Sequence, residues 1–344
     1  MSNRKSREIR LKSRPTGAPT ADNFELATAD IPDPGPGQVL VRNSYMTVDP
    51  YMRGRMMDRK SYVPPFQIGE ALTGGAVGQV IAAGSGAQFK VGDHVMSMAG
   101  WREMFVSTGM EMMQKIDLIP GVGIQSYLGA LGMPGMTAYV GLLRIGEFKP
   151  EDSVFVSAAS GAVGQIVCQI AKAKGSKRVV GSAGSDEKCA FLKEIGCDET
   201  INYKTCGDLN AAVAKAFPDG IGVYFDNVGG EHLEAAIGNM RQFGRLAECG
   251  MIEQYNATTP PPGPRNMIMT VGLSLTIRGF IVSNHYDMLP DFMRDMAAWT
   301  KAGKMKWKET IADGIEKAPE AFIGLFKGEN FGKMLVRVGP DKAV

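Results

Sequence analysis

The chain has 344 residues, long for one hydrophobic core, so two domains are expected. Apolar residues make up 44% and charged residues 22%, the balance of a soluble globular protein. Thirty-eight basic side chains nearly cancel thirty-six acidic ones, and the net charge of +2 gives no electrostatic case for nucleic acid or a membrane surface.

The basic opening, MSNRKSREIRLKSRP, lacks the apolar stretch of a secretory signal and carries Glu8, unlike an organelle presequence. Alternation at Ile9 and Leu11 predicts a first strand instead. No run approaches the ~18 apolar residues that span a bilayer. Five cysteines, at 168, 189, 197, 206 and 249, are an odd set without close pairs, which favours reduced thiols over a disulfide framework. A cytoplasmic protein is the expectation.

Residues 1–130 are punctuated by glycine and proline. The runs GQVLVRNSYMTV (37–48), GEALTGGAVGQVIAAG (69–84) and KVGDHVMSM (90–98) alternate strand and turn signals as in a β-barrel. From residue 131 short apolar runs at 154–158, 177–183, 222–228, 244–250 and 275–282 alternate with helical patterns. Those helices are expected over 161–174, 186–196, 207–217, 230–242 and 287–303. Such alternation predicts an α/β doubly wound parallel sheet with its ligand site beyond the carboxyl ends of the strands. The tail FGKMLVRV (331–338) is a strand again and is expected to return to the first domain. The domains are therefore read as 1–130 with 309–344, and 131–308.

Within the second domain, VFVSAASGAVGQIVCQIAKAKG (154–175) reads as strand, small-residue turn and amphipathic helix. Such a turn cradles a pyrophosphate: Gly161 lets the backbone approach it, Gly164 lets the helix pack close, and a helix starting near Ala162 aims unpaired N–H groups at the anion. Ala159 stands where the dinucleotide fingerprint has its first glycine. Taken alone, the motif is equally a turn that binds nothing. Its strand–turn–helix context and the strand that follows favour the dinucleotide.

An NAD site carries an acid about 20 residues past the last glycine. Here that count lands on Gly184 in GSAGSDEK, with only small residues at the strand end. Without the acid an adenosine 2′-phosphate fits, and Lys188 is placed to pair with it, with Tyr203 completing the pocket. Lys188 alone also reads as a solvated helix-start residue. With the acid absent, NADP is favoured over NAD.

Metal chemistry finds no ligands. A catalytic zinc takes three protein ligands, yet no cysteine precedes Cys168, and His94, His232 and His285 are the only histidines. Lone His94 is read as structural. Acid–base work then falls to tyrosine, water or cofactor hydroxyls.

Nearly the whole length resembles the zinc-free medium-chain dehydrogenase/reductase family that includes prostaglandin reductase, plant alkenal double-bond reductases and bacterial curcumin reductase. The motifs that carry it are VDPYMRGRM, SYVPPFQIGE, LGMPGMTAY, AASGAVGQ, INYK, DNVGG, ECGMIEQYN, GFIV and KGENFGKMLVRV. In that family the turn begins with alanine, as at Ala159. The resemblance implies a GroES-like β-barrel domain beside a Rossmann domain, and a homodimer.

For the cofactor it implies Ala162, Val163, Gly164 and Gln165 at the pyrophosphate, with Lys188 and Tyr203 at the 2′-phosphate. Asn227 would lie beside the dinucleotide. Cys249, Gly250, Met251, Ile252 and Tyr255, with Phe280, Ile281 and Val282, would line the nicotinamide half, and Asn330 would reach in from the tail.

The activity implied is NADPH-dependent reduction of a carbon–carbon double bond conjugated to a carbonyl. Hydride reaches the β-carbon, and negative charge gathers on the carbonyl oxygen, where a hydrogen-bond donor gives the largest stabilisation. Tyr255 ranks first as that donor, ahead of Tyr51 and then Tyr62, which could face the cleft from the first domain. A phenol with an ordinary pKa near ~10 suits a donor better than a base. Quinone reduction uses the same hydride and stays open, as does a nucleotide-binding protein without turnover.

Overall fold

The computed structural model describes residues 4–340. The chain divides into two compact units. One comprises the residues up to Leu128, Glu309–Asn330 and Met334 onward; the other comprises Gly129–Lys308 with Phe331–Lys333.

The first unit opens with β1 (Arg4–Leu11) paired antiparallel to β2 (Phe24–Ile31). Then follow β3 (Val39–Thr47), the one-turn helix α1 (Met52–Arg55), β4 (Ala76–Ala83), β5 (His94–Ser97), β6 (Met104–Val106) and β7 (Gln114–Lys115).

In the second unit α2 (Met133–Val140) leads into β8 (Ser153–Val156), α3 (Gly164–Ala173), β9 (Arg178–Ala183), α4 (Asp186–Glu194), β10 (Glu199–Asn202) and α5 (Leu209–Ala216). The second half runs β11 (Ile221–Asp226), α6 (Gly230–Gly238), β12 (Met240–Glu248), α7 (Met269–Gly272), β13 (Thr276–Gly279) and α8 (Leu289–Lys301). The chain then returns to the first unit with β14 (Glu309–Asp313), α9 (Ala318–Leu325) and β15 (Lys333–Arg337).

A seven-stranded sheet, in order β14-β15-β3-β4-β5-β7 with β6 also on β3, and the β1–β2 ribbon enclose the first unit's core. Trp101, fully buried, stacks on Phe24 and meets Phe322 of α9 edge-on, so both sheets and the returning helix share one apolar cluster.

The second unit is a six-stranded sheet in the order β10-β9-β8-β11-β12-β13. Every ladder in it is parallel. Its central strands β8, β9 and β11 are buried apolar runs, as a sheet covered on both faces requires. The order reverses between β8 and β11, which makes their carboxyl ends the switch point where ligands bind. At the opposite end, fully buried Asp152 accepts from both Arg241 and Arg245 and from the Lys149 amide, pinning β12 to the start of β8.

Two expectations are corrected. The helix expected over 230–242 stops at Gly238, because Met240 already pairs with Ile221 as the first residue of β12. Leu233, Ile237 and Met240 keep helical spacing across that break, which hid it. The helix expected from Ala162 begins at Gly164. No helix among the described residues is long and apolar enough to cross a membrane.

Candidate active site

The turn after β8 is built by packing. Ala158 takes the left-handed conformation at φ 45°, and Ala159 does not. The Ala159 methyl instead fills the space that Gly181 of β9 leaves, since a Cβ there would stand 2.7 Å from it. Alanine is therefore accommodated at the fingerprint's first position. A Cβ on Gly164 would lie 2.6 Å from both the Ala158 carbonyl and the Ala159 Cα, so this glycine sets how closely α3 meets the turn. At Gly161 a Cβ would meet only the Ala158 oxygen, at 3.1 Å.

The amides of Val163 and Gly164 have no hydrogen-bond partner among the described residues, whereas the Ala162 amide faces the Gly332 carbonyl through the parallel bridge of Gly161 with Gly332. With the positive end of α3 they give the turn the chemistry that suits an anion. Gln165 does different work from that expected. Its buried carboxamide donates to the Lys308 carbonyl at 3.2 Å and accepts from the Lys308 amide at 2.9 Å. Gln169, one turn on, makes the same exchange with Lys306. The two glutamines strap α3 to the segment leaving the unit. Gly332 reaches the turn beside them, its amide donating to the Ser160 carbonyl at 3.0 Å, and Asn330 lies just before it in sequence.

At the end of β9, Gly184 leaves room for Tyr203. A Cβ there would stand 2.7 Å from the Tyr203 hydroxyl oxygen and 3.3 Å from Lys204 Cε. Ser185 caps α4 by accepting the Lys188 amide, which places Lys188 on the first turn. Burial lowers the Lys188 pKa, and the charge of Lys204 lowers it further. Two lysines and a phenol thus converge on a strand end that has no acid. Sequence reasoning passed over Lys204, which reaches the group only through the pairing of β9 with β10. It also missed His232, whose ring meets the Tyr203 ring edge-on at 5.1 Å.

Across the switch point, Asn227 donates from its side chain to the Ser157 carbonyl at 2.8 Å, tying β11 to β8. Cys249 and Gly250 donate their amides to the Asp226 carbonyl. A Cβ on Gly250 would lie 2.9 Å from the Tyr255 hydroxyl oxygen, so this glycine lets the phenol lie against the end of β12. Met251 and Ile252 are half-buried in the same loop, and Ile281 and Val282 follow β13 in like exposure. Phe280 turns inward, its ring edge-on to Phe225 at 6.3 Å. Burial and two nearby carboxyl groups push the Cys249 thiol up to about 12, which keeps it protonated.

In the first unit Tyr51 and Tyr62 gather around Arg55. Arg55 hydrogen-bonds Tyr51 and lies over the Phe66 ring, 4.0 Å from its centre. Burial and Asp49 raise the Tyr51 pKa, with Arg55 opposing, so this phenol stays neutral and can donate. Tyr62 is 61% exposed. Arg55, four residues past the VDPY motif, went unmarked in the sequence.

His94 opens β5. No group of three or more His, Cys, Asp and Glu side chains that could hold a metal ion occurs among the described residues.

The chain matches known proteins over nearly its full length. Residues 7–116 match the family described as N-terminal domain of oxidoreductase, and residues 162–298 match zinc-binding dehydrogenase. It is 43% identical to the NADPH-dependent curcumin reductase of Escherichia coli, over 96% of each chain. It is equally 43% identical to the NADP(+)-dependent 2-alkenal reductase of Nicotiana tabacum, over 98% of each. The crystal structure of CurA from Vibrio vulnificus in complex with NADPH shares 43% identity at a TM-score of 0.91, covering 97% of this chain and 99% of that one. The chain belongs to the medium-chain dehydrogenase/reductase family, in the branch that holds the curcumin, alkenal and prostaglandin reductases.

Proposed function

We propose that this protein is an NADPH-dependent reductase of carbon–carbon double bonds conjugated to a ketone or aldehyde. The observation that carries the cofactor choice is the end of β9, where Tyr203, Lys188 and Lys204 surround the place an NAD-binding acid would take. The similarity to reductases of that chemistry supports the reaction.

Gly161, Ala162 and the unpartnered amides of Val163 and Gly164 would receive the pyrophosphate, and Gln165 would hold α3 in place for it. Lys188, Lys204 and Tyr203 would take the 2′-phosphate. Asn227, the loop from Cys249 to Ile252, Phe280 to Val282 and Asn330 would hold the nicotinamide half. Bound NADPH supplies the hydride.

Tyr255 then donates a hydrogen bond to the carbonyl oxygen as charge builds there, the point at which a fixed donor lowers the barrier most. Tyr51 is the second such donor, kept neutral by burial. Tyr62 ranks third because its exposure leaves it solvated. The test is spectrophotometric: NADPH and NADH are offered with an enone, an enal and a simple quinone, and NADPH should be consumed with the first two.

We further propose a homodimer assembled through β13. All four of its residues are exposed, and it pairs with β12 on one side only. Open strand edges recruit other strands, and Ile268, Val271 and Tyr286 nearby are exposed apolar side chains. A cytoplasmic setting accords with five free cysteines, three of them buried.

A further inference from the structure

Asp226 and Glu248 end β11 and β12 and are register partners in that parallel ladder. Asp226 is fully buried. Its Oδ1 receives four donors: the Tyr224 hydroxyl at 2.8 Å, Ser157 Oγ at 3.0 Å, and the amides of Val228 at 2.8 Å and Gly229 at 2.9 Å. Those four donors satisfy Oδ1 and leave the other oxygen of the carboxyl group to find its own partner. Its Oδ2 and both Glu248 oxygens are buried with no hydrogen-bond partner among the described residues. A buried acceptor left without a donor costs about 1–3 kcal/mol. Three such atoms in two facing carboxyl groups lack one thing, a proton.

The surroundings give no counter-charge. From β11 come Asp226 and Tyr224; from α6, His232 and Glu231; from the loop after β12, Cys249 and Glu253. On β13, Gly279 stands opposite Glu248 and Arg278 opposite Ala247. Burial, then the charge and hydrogen bond of Asp226, push Glu248 up to about 8, and no basic side chain contributes to that shift. Burial, Glu231 and Asp226 also raise Glu253. Burial lowers the pKa of His232, so it adds no positive charge at neutral pH.

We propose that Glu248 is held as a carboxylic acid donating to Asp226 Oδ2, and that this pair positions the strand ends presenting Asn227 and Cys249 to the cofactor. The proton stands on the chain's own geometry; its consequence for binding rests on the NADPH reading above. Loss of the proton places two negative charges in one buried pocket and drives the strand ends apart. The Glu248 pKa lies above that of an unfolded glutamate, so the folded chain carries the extra proton between the two values. Stability therefore falls as pH rises from the ordinary carboxylate range through about 8.

Infrared spectra of the full-length protein labelled with ¹³C-glutamate test the proton directly. A protonated-carboxyl band that shifts with the label should be present at neutral pH, vanish in alkaline buffer, and be missing in Glu248→Gln. NADPH titration is the second arm. Wild type should lose about tenfold in affinity from neutral to alkaline pH, equivalent to ~1.4 kcal/mol. Glu248→Gln, whose amide donates at any pH, should hold its affinity constant. No labelled band at neutral pH, or the same pH-dependent loss in Glu248→Gln, overturns the proposal. If wild type fails to bind NADPH at every pH, the cofactor reading falls and the band alone decides the pair, in a measurement that needs no variant to fold.

Discussion

The Tyr203 hydroxyl lies 2.7 Å from where a Cβ on Gly184 would be, so the phenol fills the place a larger residue would claim at the end of β9. Lys188 and Lys204 stand close enough for one to depress the other's pKa, an arrangement that a doubly charged phosphate would relieve. Charged hydrogen bonds contribute about 1.5–3 kcal/mol, so Lys188→Ala and Lys204→Ala should each weaken NADPH roughly tenfold or more. NADH affinity should barely move. Fluorescence titration with both cofactors checks this, and equal losses would assign the lysines to folding.

Tyr255→Phe keeps the ring beside Gly250 and deletes only the hydroxyl. Removing one donor to a developing oxyanion costs about 10²–10³ in turnover. The expected outcome is a loss of that order in single-turnover reduction, with NADPH affinity within about twofold of wild type. Unchanged single-turnover reduction would reject the assignment.

Asp152 is fully buried between Arg241 and Arg245, far along the strands from the switch point. Deleting one partner of a buried ion pair leaves the others uncompensated, at a cost of about 3–5 kcal/mol. Asp152→Ala should lower the unfolding free energy from urea titration by that amount, with a matching fall in the midpoint. NADPH affinity of the molecules still folded should stay unchanged. A shift within error would show that the arginines find water.

Ile277 sits on β13, the exposed edge of the six-stranded sheet. Charge on an edge strand blocks pairing with another chain. Ile277→Lys should therefore sediment as a monomer at concentrations where wild type is a dimer. A wild-type monomer would remove the dimer reading.

The Rossmann architecture was legible because each strand and helix carries its own local pattern. The tight turn after β8 was legible because glycines mark close approach. What escaped depends on pairing between strands. Lys204 looks like one more loop lysine until β10 docks on β9. Asp226 and Glu248 are far apart in sequence and become neighbours only through the register of β11 with β12. Arg55 escaped because a basic residue in a one-turn helix looks like surface until burial counts. Gln165 sat where a ligand was expected, but its side chain went to the Lys308 backbone instead.

The proposed reaction is reduction of an activated alkene by a phosphorylated dinucleotide. Stopped-flow oxidation of NADPH and NADH by one conjugated enone tests it most directly. NADPH absorbance should fall rapidly when the enone is added, and the rate with NADH should be lower by about 10²-fold, the ~2.7 kcal/mol expected of a charged phosphate pocket. Equal rates with both coenzymes, or no enone-dependent oxidation of either, would contradict it.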